Sequence, residues 1–295
     1  MDTRLYSDRQ QNPHFEAGRP VFNWNHLLVK PRTFLFANFR AKVPILIEKG
    51  NYIIKTAENG KELEQALKLR HDVFIQELLG RRNFLGVDID KYDPHCDHLM
   101  IIDKKNGACV GCYRLNSDRY SRMFYSEKEF HLGTLMALAG TKLEIGRACI
   151  KREYRKKNMM GLIWEGVYHY VATINARYIF GCSSIMTIDP LEVAILYRYL
   201  SRHDNYRDDL HVRPQRKYRQ KGLYKLVTGL DFLDSETVCG RGEQLVPQLI
   251  KDYFRCGAVV CGEPALDKAF KCTDVFTLLD MDRLNGAYLD TRTMQ

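Results

Sequence analysis

An acid and a base sit inside one apolar run, Leu143–Ile150, which reads L-E-I-G-R-A-C-I. Glu144 offers a proton acceptor, and Arg147 a permanent cation able to grip a carboxylate at two points. Neither group is tolerated in an apolar strand unless it is paired or put to use. A cationic turn follows, with Lys151, Arg152, Arg155, Lys156 and Lys157, and then Met159–Ile174, apolar on nearly every helical face. Strand, basic turn and buried helix in that order aim the N–H groups of a helix start at what precedes them, which suits an anionic ligand. Strict alternation would send Glu144 and Arg147 to opposite faces, because they stand three residues apart. A bulge near Gly146 would bring both to one face and turn a backbone N–H toward a reacting carbonyl. A purely structural ion pair between the two is the competing reading.

More charge lies at predicted junctions upstream. Arg70 stands four residues before Phe74, Asp90 and Asp93 occupy D-K-Y-D, and Arg114 ends C-Y-R-L. The two acids either bind a cationic group or hold Arg70 and Arg114 in place. Ser183 and Ser184 end a predicted strand beside the site and are candidate substrate contacts. Cys109 and Cys112 form C-x-x-C inside a predicted strand with no second pair, so no metal site is expected. His98 and Asp103 fit H-x4-D, again in or beside a strand, where chance explains the match. Cys149 and Cys182 read as core thiols.

The elements that must position these groups are interspersed strands and helices. Tyr52–Thr56 reads as a strand and Glu58–Leu79 as an amphipathic helix. His98–Asp103 and Ala108–Asn116 form a hairpin about Asn106-Gly107. Met123–Leu138 is expected to be mostly helical. Tyr178–Ile185, Pro190–Leu200, Gln244–Arg255, Ala258–Cys261 and Asp274–Leu279 read as strand, helix, helix, strand and strand. The class is α/β or α+β around one mixed sheet.

The 295 residues are 45% hydrophobic and 27% charged, which is ordinary for a globular protein. A net charge of +9 points to an acidic partner. Asp2, Arg4, Asp8 and Arg9 interrupt any leader-like run, and no apolar stretch reaches the ~18–20 residues of a spanning helix. The nine cysteines form no regular framework, so reduced thiols in a cytoplasmic compartment are expected. Val21–Leu46 carries Phe22, Trp24, Phe34, Phe36 and Phe39 beside Lys30, Arg32, Arg40 and Lys42, with no acid. Such a segment either lies at a lipid interface or wraps its own core. Arg213–Lys221 adds a second basic run.

The order R-x3-F, D-x-Y-D, R-L, E-x2-R resembles the acyl-homoserine-lactone synthases. A closer resemblance, to the ornithine–acyl carrier protein N-acyltransferases of ornithine-lipid synthesis, rests on LEIGRACI at Leu143–Ile150, YIFGCSS at Tyr178–Ser184 and the block from Val246 to Phe276. It implies a GNAT-like fold, a mixed sheet with a bulged fourth strand, over residues 51–295. Residues 1–50 would be an N-terminal, interfacial extension, and the chain from about 205 a C-terminal one. The implied reaction carries a (3-hydroxy)acyl chain from acyl carrier protein to the α-amine of L-ornithine. Glu144 would be the base, and Arg147 would neutralise it or hold the acceptor carboxylate. Arg70, Asp90, Asp93, Arg114, Ser183 and Ser184 would surround the substrate, with Phe74 packing or bordering the acyl tunnel. The pyrophosphate loop Q/R-x-x-G-x-G/A is not cleanly present at Arg155–Gly161. That fits a donor bringing only the phosphopantetheine arm of a carrier, with no other cofactor bound. The acidic carrier would dock on Lys151–Lys157 and on Arg213, Arg216 and Lys217. Peripheral contact with an anionic membrane, at the inner face of the cytoplasmic membrane, follows from a lipid product. Other readings are an N-acyl amino acid synthase with another acceptor, a lactone-type signal synthase and, from another class, a basic nucleic-acid-binding protein. No nucleic-acid partner is expected under the leading reading.

Overall fold

Near-continuous apolar runs make Asp97–Asp103 and Ala108–Ser117 strands buried along most of their length, and the two fold back about Gly107, whose φ of +67° suits glycine. In the computed structural model, which describes residues 36–81 and 83–284, this hairpin is one part of a nine-stranded sheet. The chain enters through β1 (Leu46–Lys49), β2 (Tyr52–Thr56) and α1 (Gly60–Arg70), capped by the Asn59 side chain. The hairpin forms β3 and β4. A two-residue β5 (Phe130–His131) and a short α2 (Gly133–Ala137) lead into β6 (Thr141–Ile150), α3 (Met159–Ile174), β7 (Ala176–Ile185) and α4 (Pro190–Leu200). Then come β8 (Tyr206–Arg207), β9 (Arg213–Pro214), α5 (Leu223–Gly229), α6 (Ser235–Leu245) and α7 (Gln248–Arg255). The long hairpin of β10 (Val259–Asp267) and β11 (Cys272–Asp280) closes the sheet.

The strand order is β1-β2-β3-β4-β6-β7-β11-β10-β8, with β5 and β9 paired in a separate ribbon. Only β6–β7 and β8–β10 run parallel. Side chains sort by parity along each strand, and the bulge in β6 reverses the parity of that strand. Leu99, Ile101, Tyr113, Leu115 and Leu143 pack under α3, whereas Met100, Cys112 and Cys149 meet Leu63 and Leu67 of α1. Gly166 lets α3 settle close, because a Cβ there would stand 2.7 Å from Ile54 and Leu99 side-chain atoms.

Several expectations need correction. The bulged strand stands fifth in the sheet's order, because β1 adds an edge strand in front of the four expected. The expected boundary at residue 50/51 falls inside the β1–β2 hairpin, and the chain after 205 supplies β10 and β11 to the sheet itself. Met123–Leu138 is mostly not helical. Phe124, Phe130, Leu132 and Leu135 all bury in one cluster against Phe180 and Phe276, and that packing overrides helical spacing. Gln244–Arg255 is two helices, broken at Pro247, which has no N–H to donate. The helix expected over Glu58–Leu79 widens after Arg70 into π-helical turns, His71–Leu78. Phe36 and Phe39 are buried beneath α1, so this part of the cationic aromatic segment serves the core. Phe22, Trp24, Phe34, Lys30 and Arg32 lie outside the described residues. Among the described residues no helix is long and apolar enough to cross a membrane.

β6 and β7 pair from Thr141/Ala176 only as far as Glu144/Phe180, and then part. At the point of separation Gly181 approaches Ile145 so closely that a Cβ would overlap the Ile145 carbonyl oxygen. Gly181→Ala should therefore lower stability by about 1–3 kcal/mol. Urea unfolding would show this as an earlier midpoint at unchanged m-value.

Candidate active site

Cys112 faces Cys149 and Arg114 faces Gly146, so two steps along β4 meet three along β6. The extra residue is a bulge, and Arg147 sits in it with φ +54°. Glu144 and Arg147 consequently share one face. Both engage Tyr125: its backbone N–H donates to Glu144, and its ring lies 4.6 Å beneath the Arg147 guanidinium.

A cavity of about 320 Å³ fills the gap between the parted strands. One part of its lining is apolar, with Phe74, Leu78, Trp164, Ile179, Leu249 and Tyr253. Another is polar, with Glu144, Arg147, Ser184, Asp267 and Asp274. The π-helical turns after Arg70 carry Phe74 and Leu78 to this lining, and α7 carries Leu249 and Tyr253.

Glu144 is 5% exposed, and its two oxygens accept the N–H groups of Tyr125 (2.8 Å) and Ser126 (2.6 Å). Burial raises its pKa above the ordinary carboxylate value, against the pull of Ser126, Arg114 and these N–H groups. Each oxygen keeps a second lone pair for a proton or a water.

Arg147 does not neutralise Glu144, contrary to one expectation. The bulge turns its guanidinium toward the 88–90 loop, with Nε 3.5 Å from Asp88 and Nη2 3.5 Å from Asp90. Those contacts are long, and Nε makes no hydrogen bond.

Behind Arg147 lies a buried ion network. Arg70, fully buried at the end of α1, donates to Asp88 (2.8 and 2.9 Å) and to Asp93 (2.6 Å). Arg114 donates to Asp90 (2.7 Å) and Asp93 (3.1 Å). Asp93 is 0% exposed between the two arginines, so it holds them and has no surface left for a substrate cation. Burial would raise the Asp93 pKa, but Arg70, His98 and Arg114 outweigh it and hold the carboxyl well below its usual range.

Of the expected substrate contacts, Phe74, Arg114, Ser183 and Ser184 line the cavity, whereas Arg70, Asp90 and Asp93 stand outside it. Both serines already have partners: Ser183 accepts from Thr277 (2.9 Å), and Ser184 donates to Asp274 (2.5 Å). In the basic turn, Arg155 is clamped by Glu77 (2.6 and 2.8 Å) and Lys151 by Glu153 (2.8 Å). Arg152, Lys156 and Lys157 are exposed, Lys157 lying 4.3 Å over the Tyr154 ring. Arg213 pairs with Asp208 (2.9 Å), and Arg216 and Lys217 are exposed.

Sequence reasoning missed Asp88, Tyr125, Glu129, Asp267 and Asp274. The last three are buried with their carboxylate oxygens within 4.8 Å of one another, a spacing that could hold a cation. Asp274 had a legible signal, since it is a lone acid in the apolar strand C-T-D-V-F-T-L-L, the same anomaly as Glu144.

Residues 69–165 match the model of an acetyltransferase (GNAT) domain, a span running from the end of α1 to the first half of α3. Over 260 residues the chain is 32% identical to the L-ornithine N(alpha)-acyltransferase of Rhizobium meliloti (strain 1021), covering 81% of this chain and 83% of that one. It belongs to that family. The Brucella abortus (strain 2308) protein of the same name is 28% identical over 260 residues, 83% of this chain and 90% of its own. Among solved structures, the CoA-dependent acyl-homoserine lactone synthase BjaI covers 77% of this chain and 78% of its own at 15% identity and a TM-score of 0.43, too slight a likeness to carry weight. The protein is thus an acyltransferase with a GNAT fold, and the parted strands of that fold make its cavity.

The acyltransferase depends on Asp93 for its shape. Asp93→Asn would leave Arg70 and Arg114 short of a counter-charge, at a cost of about 3–5 kcal/mol in urea unfolding. A depressed folded pKa means that the Asp93 contribution is present above the unfolded carboxylate pKa of about 4 and lost as pH falls below it. Wild-type stability should therefore fall in that acid window more steeply than that of the variant.

Proposed function

We propose that this acyltransferase moves a (3-hydroxy)acyl chain from the phosphopantetheine thioester of acyl carrier protein to the α-amine of L-ornithine, giving a lyso-ornithine lipid. The observation that carries the reading is the two-natured cavity. Its apolar lining suits a fatty chain, and its polar lining sets Glu144 and Arg147 beside carboxylates. The relatives named L-ornithine N(alpha)-acyltransferase support ornithine as acceptor. A net charge of +9 supports an acidic carrier as donor.

The amine must be neutral to attack, and in water it is largely protonated at pH 7. Glu144 takes that proton, directly or through a water, with its raised pKa matched to the task. The nitrogen then bonds to the thioester carbonyl carbon. Backbone N–H groups along the unpaired edge of β6 past Glu144 face the developing oxyanion. Collapse of the tetrahedral intermediate breaks the C–S bond, and the thiol leaves with a proton. Arg147, held only loosely by Asp88 and Asp90, takes the acceptor carboxylate. The carrier docks on the exposed cations Arg152, Lys156, Lys157, Arg216 and Lys217. The enzyme works in the cytoplasm at the inner face of the membrane, where a lipid product departs.

Incubation with 3-hydroxyacyl carrier protein and a panel of amino acids, with products read by mass, tests the reading. Acylation of none, with the carrier intact, overturns it. Glu144→Gln should cut kcat/KM by roughly 100-fold or more. Because the base acts when deprotonated, wild-type kcat/KM should fall as pH drops through the raised Glu144 pKa, and the variant should lack that acidic limb. Circular dichroism would verify that the variant keeps the 125–126 turn folded. Lys156→Glu with Lys157→Glu should raise KM for the carrier and flatten its salt dependence; an unchanged KM would remove this turn from the docking surface.

A further inference from the structure

Glu129 follows a single 3-10 turn, Asp267 ends β10, and Asp274 lies on β11 opposite Ser184. Their exposures are 0%, 3% and 3%, and their carboxylate oxygens lie within 4.8 Å of one another. Asp267 accepts the N–H groups of Ala269 (2.8 Å) and Phe270 (3.2 Å), and Asp274 accepts the Ser184 hydroxyl. Neither oxygen of Glu129 makes any hydrogen bond. The cation paired with it is Lys128, whose ammonium stays 3.9 Å from Oε1 on a side chain 39% exposed.

Three buried carboxylates at this spacing repel one another when ionised, and burial keeps them from the screening of bulk solvent. Burial first, then Asp274 and Asp267, push Glu129 up to about 8, and burial raises Asp274 as well. Around Arg70 and Arg114 each of Asp88, Asp90 and Asp93 has an arginine within hydrogen-bond reach, whereas no arginine pairs with this cluster among the described residues. Asp267 and Asp274 line the cavity that also holds Glu144 and Arg147.

We propose that Glu129, Asp267 and Asp274 form the seat of the acceptor's side-chain ammonium and so select a diamino acid. A primary ammonium has three N–H donors to set against three carboxylates, and it rides on a flexible apolar stem. With the acceptor carboxylate on Arg147 and its α-amine at Glu144, the stem runs on toward the cluster. The assignment rests on the proposed transfer to an amino-acid amine.

The test compares L-ornithine with norvaline, which keeps the carbon chain and lacks the terminal amine, as acceptors of the acyl group from acyl carrier protein. In wild type, kcat/KM should favour ornithine strongly. Asp274→Asn and Glu129→Gln should each reduce that ratio by roughly 30-fold or more, mainly through KM for ornithine. Measured above pH 8, where Glu129 ionises, both should also raise Tm, because each removes a buried repulsion. A purely structural role would lower Tm and leave the ratio unchanged, and that result overturns the assignment. So does a wild-type enzyme that acylates ornithine and norvaline equally well, an outcome that leaves the acyl-transfer reading standing. Failure to acylate any amino acid defeats both. Calorimetry with Mg²⁺, Mn²⁺, Ca²⁺ or Zn²⁺ in the absence of acceptor supplies the last arm. Tight binding lost in Asp274→Asn would make the cluster a metal site and overturn the ammonium assignment.

Discussion

One residue too many in β6 governs the rest of the site. The bulge at Gly146–Arg147 puts a non-glycine residue at φ +54°, a conformation costing on the order of 1–3 kcal/mol that persists only when its surroundings over-determine it. Here they do. The Tyr125 and Phe270 rings lie 4.6 and 5.4 Å from the guanidinium, and Asp88 and Asp90 stand on its polar side. In return the bulge turns Glu144 and Arg147 to one face, just past the last pair of β6 with β7 at Glu144/Phe180.

Charge is handled in two opposite ways within this small volume. Around Arg70, Arg114, Asp88, Asp90 and Asp93, buried cations and anions alternate with short hydrogen bonds, so desolvation is offset locally. That network fixes the 88–93 loop, and the loop in turn backs Arg147. Around Glu129, Asp267 and Asp274 three buried carboxyl groups gather instead with no arginine among them. Tyr125 stands between the two regions. Its N–H anchors Glu144 and its ring supports both Arg114 and Arg147. A single turn from Phe124 to Glu129 thus contacts the base, the arginines and the acid cluster.

Glu144 combines anchoring and reactivity. Its two backbone hydrogen bonds hold the carboxylate in one orientation, so little freedom remains to be lost during reaction. Those bonds also fix the start of the 123–138 segment, which packing keeps from being the helix its composition favours. Two of its N–H groups are drawn to Glu144, and its aromatic residues are buried against β7 and β11.

Local rules were enough for much of the fold. Met159–Ile174, Tyr52–Thr56 and Pro190–Leu200 are readable because apolar periodicity, Asn and Asp caps and a first-turn proline all act within a few residues. A lone acid and arginine in an apolar strand likewise marked Glu144 and Arg147, whereas their spacing alone would have sent them to opposite faces and only the family resemblance implied a bulge. Partnership was not readable, because it depends on residues far apart in the chain. Arg147 meets Asp88 and Asp90 across more than fifty positions, and Asp274 reaches Ser184 across ninety. The sequence by itself determined that charge had been committed to a greasy strand. Only the tertiary structure decided which charges are spent on one another and which are left facing the cavity, because burial and pairing are properties of the packed sheet and of no single segment.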